Sequence, residues 1–276
     1  MILVTGATGN VGGQVVRALA ARNVPVRALT RDPGRAAPVP GVEFTGGDLG
    51  RPETLRPALD GVSALFLLPG YPGLETLLAD ARAAGVERVV LLSGGSAASG
   101  DRTNAITRYM AESEDAVRAS GLPWTFVRPA QFMSNALQWA PQLKEGDVVT
   151  VPFADVRVAV VDPFDVAAVA VEALTCDGHA GGIYWPTGPD STVAAERLAV
   201  LGDVLGRDLR LVAQPDDEAR AEMLKTTPPE YVDAFFDFYV NGSLDESPVR
   251  PTVRDVTGRE PRTFAQWAAE HADAFR

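Results

Sequence analysis

Gly6, Gly9 and Gly12 stand three apart, directly after the apolar run Ile2-Leu3-Val4 and directly before helix-forming sequence. At a strand-to-helix turn this spacing suits a pyrophosphate. One glycine allows the tight turn, one lets backbone approach the phosphates, and one lets the helix pack closely on the strand. The N–H groups that open the helix, helped by its dipole, then hold the anion. A glycine triplet alone is a weak signal. Its position between strand and helix is the context that marks Gly6, Thr8, Gly9, Asn10 and Val11 as a dinucleotide-binding turn.

The end of the next strand selects the cofactor. NAD-dependent proteins place an acid there for the ribose 2′-hydroxyl. Here the residues are Thr30 and Arg31, with Arg35 nearby. A guanidinium offers paired donors and positive charge to a 2′-phosphate, so NADP is favoured. Asp32 keeps NAD open.

Other chemistries find little support. Gly94-Gly95-Ser96-Ala97-Ala98 lacks the last glycine of a nucleophile elbow, and no histidine is placed to serve it. Asp162 and Asp165 read as helix caps rather than an acid–base pair. The single cysteine, Cys176, excludes an internal disulfide, and the two histidines, His179 and His271, lack ligand spacing, so no metal is expected. A net charge of −11 argues against nucleic acid as the main partner. No apolar run approaches a membrane span, and Met1 leads straight into the first strand. A cytoplasmic protein without membrane partners is expected, and a homodimer is an open expectation.

These residues need a scaffold. Strands are predicted over residues 2–4, 24–29, 42–45, 62–68, 86–92 and 124–127. Helices are predicted over 11–22, 51–59, 74–84 and 103–120. The alternation implies an α/β fold, a doubly wound parallel sheet of the Rossmann type, with residues 1–130 as its NAD(P)-binding core. Beyond 130 the rhythm changes. An irregular helix over 131–142 is followed by strands at 148–152, 156–161 and 182–187. Helices are expected over 162–174, 193–205, 228–240 and 264–274. Residues 131–276 are expected partly to complete the core and partly to form a small substrate lobe over the cleft. Ligands in such sheets sit at the carboxyl ends of the strands. That places Leu67, Leu68 and Pro69 near the cofactor, and Ser93, Gly94, Arg128 and Pro129 around the nicotinamide.

Thr5-Gly6-Ala7-Thr8-Gly9-Asn10-Val11-Gly12 resembles the opening of the extended and atypical short-chain dehydrogenases, and is most similar to their NmrA-like branch. The resemblance continues through Arg-Val-Val-Leu-Leu-Ser-Gly, Ser-Gly-Leu-Pro-Trp-Thr-Phe-Val-Arg-Pro and Asp-Pro-Phe-Asp-Val-Ala. It implies that Asp48 accepts from the adenine amine while Leu49 covers the ring. It also implies a choice among reductases of quinones, imines or aromatic polyketides, oxygenase-like members, and dinucleotide sensors without turnover.

The catalytic signature departs from the superfamily. Tyr109 stands on the helix that elsewhere carries Tyr-x-x-x-Lys, but no lysine follows it. The His-x-x-x-Glu register of NmrA-like reductases falls on Met110 and Glu114, so the histidine is missing too. Tyr109 is therefore expected to act as a neutral hydrogen-bond donor, with Ser93 and Asn135 as further catalytic candidates. Gln131, Phe132, Trp139 and Tyr239 are expected around the substrate, with Tyr71 as a lid. An apolar cleft with a few amides suits an aromatic or quinonoid molecule. The reading is an NADPH-binding oxidoreductase acting on a small aromatic, quinone or polyketide-type compound.

Overall fold

The computed structural model describes all 276 residues. β1 (Ile2–Val4) is apolar at every position and is buried on both faces, as the centre of a parallel sheet requires. β2 (Val26–Thr30) and β4 (Ala64–Leu67) flank it. The sheet extends through β3 (Val42–Gly46) on one side and β5 (Arg88–Leu92), β6 (Trp124–Val127) and β8 (Ile183–Tyr184) on the other. Its order is β3-β2-β1-β4-β5-β6-β8, and every pairing is parallel. The order reverses between β1 and β4, which opens a crevice at their carboxyl ends.

Helices cover both faces. α1 (Asn10–Ala21) turns Val11, Val15, Val16 and Leu19 inward at helical spacing and packs against α5 (Pro163–Thr175). α9 (Thr252–Thr257) completes that layer through Val253. α1 ends at Asn23, whose left-handed backbone (φ 56°) stops the helix. On the other face lie α2 (Leu74–Ala83) and α3 (Ala105–Ala119), with Leu77, Leu78 and Val117 in the core. Asp162 caps α5 by accepting from the Phe164 N–H at 2.8 Å, and Pro163 occupies the first turn.

The chain after β6 builds a second core. Irregular turns over Met133–Trp139 run into α4 (Ala140–Glu145). β7 (Val148–Val151) pairs in parallel with β9 (Arg210–Ala213), and α6 (Ala194–Leu205) joins them. Trp139, Leu198, Trp267 and Phe275 fill the space between these elements and α10 (Phe264–Glu270). α7 (Asp216–Met223) and α8 (Pro229–Tyr239) pack on each other through Ala219, Val232 and Phe236. No helix is long and apolar enough to cross a membrane.

Three expectations are corrected. Residues 51–59 form two short 3-10 turns rather than one helix, because Pro52 and Pro57 remove helical donors. Residues 156–161 form no continuous strand. Their partners are scattered: Val158 bridges Thr192, Ala159 donates to Glu246 O, and Val161 donates to Gln131 O. The strand expected over 182–187 shortens to two residues, ending ahead of Pro186, which cannot donate. β9, α7 and α9 carry no clear sequence signal.

Candidate active site

The glycine turn holds its shape through backbone contacts. Gly6 is left-handed (φ 60°), and the Gly9 N–H donates to Gly6 O at 2.9 Å. A Cβ on Gly12 would sit 2.2 Å from Gly6 O, so only glycine lets α1 come this close. Gly9 caps α1 without a side-chain partner, leaving the first helical N–H groups for a ligand. The Val11 side chain is buried in the core, so Val11 can offer only its backbone. Asn10 reaches across to Ser134 Oγ at 3.2 Å.

Beside the turn opens a cleft of about 600 Å³, lined by Gly6, Thr8, Gly9, Arg31, Arg35, Asp48, Leu49 and Leu68. Neither Arg31 nor Arg35 is paired with a carboxylate. Asp32 lines the cleft too, but its carboxylate accepts from the Gly34 N–H at 3.1 Å. Asp48 accepts from Gly50 N–H at 2.9 Å, which makes it a turn former as well as a cleft residue. Tyr71, expected as a lid over the substrate, is 38% exposed and lies on this cleft. Leu67 faces the other way: it is fully buried in the core, and of that pair only Leu68 reaches the ligand space.

Three other expected contacts have close neighbours within the protein. Arg128 is buried and meets Glu114 in a two-pronged ion pair, Nε to Oε1 at 2.7 Å and Nη2 to Oε2 at 2.6 Å. The Ser93 hydroxyl donates to Glu114 Oε1 at 2.7 Å and is likewise buried. Gly94 backs onto Met110, where a Cβ would lie 3.2 Å from Cε. Arg128 and Pro129 line a separate cavity of about 310 Å³ beside Trp185, not the dinucleotide cleft. Pro69 is half-buried and lines none of these spaces.

The lobe encloses a larger cavity of about 720 Å³. Gln131, Phe132, Asn135 and Trp139 enter it from the chain that follows β6, and Phe153, Phe235 and Tyr239 close it from the lobe. Phe153 is left-handed (φ 52°), a rare conformation for an aromatic residue, and is held by rings of Phe236 and Tyr239 at 5.1 and 5.3 Å. The Tyr239 hydroxyl donates to Glu246 Oε2 at 3.3 Å. Burial pushes the Glu246 carboxyl up to about 7, against hydrogen bonds from Tyr239 and Gln131 that favour its charged form. Burial likewise raises the Tyr239 phenol. Glu246 was not anticipated, because a single exposed-looking Asp-Glu pair in a loop carries no pattern.

Comparison with known proteins fits this geometry. The sequence pattern of the NAD(P)H-binding family matches residues 6–177. A (4-alkanoyl-5-oxo-2,5-dihydrofuran-3-yl)methyl phosphate reductase of Streptomyces griseus is 46% identical, covering 100% of this chain and 99% of that protein. The chain belongs to the NAD(P)H-binding family. It is an NAD(P)H-dependent oxidoreductase. An NAD(P)H azoreductase of Xenophilus azovorans is 39% identical over 100% of this chain and 99% of that one. Among solved structures, an NADPH-dependent quinone oxidoreductase of Escherichia coli superposes with a TM-score of 0.81 at 25% identity, covering 98% and 99% of the two chains.

In this family member, the residues of the helix expected to carry the acid make contacts within the protein. Tyr109 packs edge-on against Tyr231, with ring centroids 6.2 Å apart, and lies against the Gly70 loop. It lines none of the three cavities above. Burial and the neighbouring Tyr231 raise its phenol, the direction opposite to activation. Glu114, four residues on from Met110, is spent on Ser93, Arg118 and Arg128.

Proposed function

We propose that the protein uses NADPH to reduce an electron-poor conjugated small molecule such as a quinone, an azo compound or an unsaturated lactone. The observation that carries this reading is the apolar lobe cavity reached by Gln131, Phe132 and Asn135 from the end of β6. The substrates for which these relatives are named share one property: added electron density spreads over a π system. Such acceptors need little proton donation while the hydride adds, which accords with the missing Tyr-Lys and His-Glu pairs.

Bound NADPH supplies the hydride from C4 of its nicotinamide. Arg31 and Arg35 are suited to hold a 2′-phosphate, and the N–H groups at the start of α1 to hold the pyrophosphate. Gln131 and Asn135 offer amides to the acceptor's heteroatoms, and Phe132 and Trp139 offer flat apolar faces. One proton must follow each hydride. Glu246, which keeps its proton up to about 7, is the acid. Once it is protonated its hydrogen bond with Tyr239 reverses, and Tyr239 hands its own proton to the reduced heteroatom or carbon while taking that of Glu246, so the phenol is never ionised.

NADPH consumption measured with naphthoquinones, azo dyes and unsaturated lactones, in air and under nitrogen, tests the reading. Stoichiometric reduction of at least one class at equal rates in both atmospheres is expected. Oxygen uptake with an oxygen atom retained in the organic product, rather than the peroxide released when a naphthohydroquinone re-oxidises in air, would point to an oxygenase acting on an aromatic polyketide. Nucleotide binding without turnover of any acceptor would point to a sensor.

A further inference from the structure

Arg197 stands on α6 and lines the lobe cavity. Its Nη1 donates to Thr192 O at 2.7 Å and to Thr192 Oγ1 at 3.2 Å, and these are its only protein partners. Several other sheltered arginines are matched to acids: Arg128 to Glu114, Arg259 to Asp165, Arg262 to Asp162. The acids nearest Arg197 are engaged elsewhere. Glu196 points away to Arg157 at 3.2 Å and to the Val193 N–H at 2.9 Å. Glu222, the one carboxylate on the cavity wall, is paired with Lys225. Burial brings the Arg197 guanidinium down to about 10, which still leaves it charged at neutral pH. Glu196 lends it a through-space attraction but no ion pair, and a sheltered charge left without a paired partner is costly. The other polar groups on the wall include Gln138, Gln214, Thr226 and Thr227, all neutral and able to donate.

We propose that Arg197 is the receptor for an oxyanion, a phosphate, sulfonate or carboxylate, carried by the substrate that the lobe cavity encloses. The inference rests on the reading of that cavity as the acceptor site. One guanidinium edge is fixed by Thr192, which orients the remaining N–H groups before any ligand arrives. The substrate would then have two ends, a conjugated part beside Gln131 and Asn135 and an anionic part at α6.

Matched acceptors separate this inference from the reading beneath it. Naphthoquinone and naphthoquinone sulfonate are compared as substrates, together with an unsaturated lactone bearing a hydroxymethyl group and its phosphate monoester. Wild type should prefer each anionic member. Arg197→Met should raise KM for the anionic members by about 10- to 100-fold, the loss of a charge-assisted contact, with kcat and the neutral members changed less than about 2-fold. Arg197→Lys should recover part of the preference and guards against a folding defect. Calorimetry with naphthalene sulfonate, a compound that cannot be reduced, reads binding without turnover. If no acceptor is reduced but the sulfonate binds in an Arg197-dependent way, the oxyanion site stands and the reductase reading falls. Equal losses for neutral and anionic compounds, or no loss for the anionic ones, would overturn the inference.

Discussion

Arg128 and Glu114 face each other edge to edge beneath the carboxyl ends of β5 and β6, with both carboxylate oxygens engaged and Glu114 only 1% exposed. The pair ties α3 to the sheet, and Ser93 and Arg118 complete its hydrogen bonds. Breaking one side of a buried pair strands the other charge. Glu114→Ala should therefore cost about 3–5 kcal/mol in urea unfolding. Replacing both partners together, Glu114→Met with Arg128→Met, should cost less than the single change. A double variant as unstable as the sum of its parts would show that the two residues do not act as a pair.

Arg31 and Arg35 lie on the dinucleotide cleft while Asp32 is occupied by its own turn. Arg31→Ala should weaken NADPH binding by about 1–3 kcal/mol and NADH binding much less, since only NADPH has the 2′-phosphate. Titration calorimetry with both nucleotides checks this. Equal losses would remove Arg31 from that role.

Glu246 keeps its proton up to about 7 in the folded protein, against an ordinary value of 4.5. Between those values the folded state binds more protons than the unfolded one, so stability declines as pH rises through that window and is constant on either side. The change is about 3 kcal/mol at most. Glu246→Gln should flatten that part of the Tm-against-pH curve. It should also abolish any fall in kcat near pH 7 that comes from the proton relay through Tyr239. Curves that stay parallel from about pH 5 to about pH 8 would show that Glu246 is not the group titrating.

Tyr109 lies outside the lobe cavity, against Tyr231. Tyr109→Phe should lower kcat by less than about 100-fold, below the range of a true general acid. Stopped-flow reduction of one accepted quinone measures it. A larger loss, with a neutral-pH limb that vanishes in the variant, would restore Tyr109 as the proton donor.

Much of the nucleotide half was legible because its signals are local. The turn at Gly6 to Gly12 and the Asp162-Pro163 cap each depend on a few adjacent residues. Apolar runs announced β4 and β5 in the same way. The roles of Glu114, Glu246 and Arg197 were not legible. Ser93 and Arg128 looked like ligand contacts because they end strands. Their actual partner, Glu114, lies 21 and 14 residues away, and only the packing of α3 on the sheet brings the three together. Arg197 reads as one more surface cation in an arginine-rich chain until its unpaired position on the cavity wall is seen.

The contact between α1 and α5 has a consequence for how the chain folds. α1 follows the first strand, yet its inward face packs on a helix that ends at Thr175, and Arg22 meets Glu172 across 150 residues at 2.6 Å. β6, in turn, receives its outer neighbour only when Ile183 and Tyr184 arrive. During synthesis the glycine turn is thus made early but rests on an uncovered apolar helix until well over half of the chain has emerged. Loop closure over such separations is slow. A fragment cut after Ala130 would expose Val15, Val16 and Leu19 and aggregate rather than bind nucleotide.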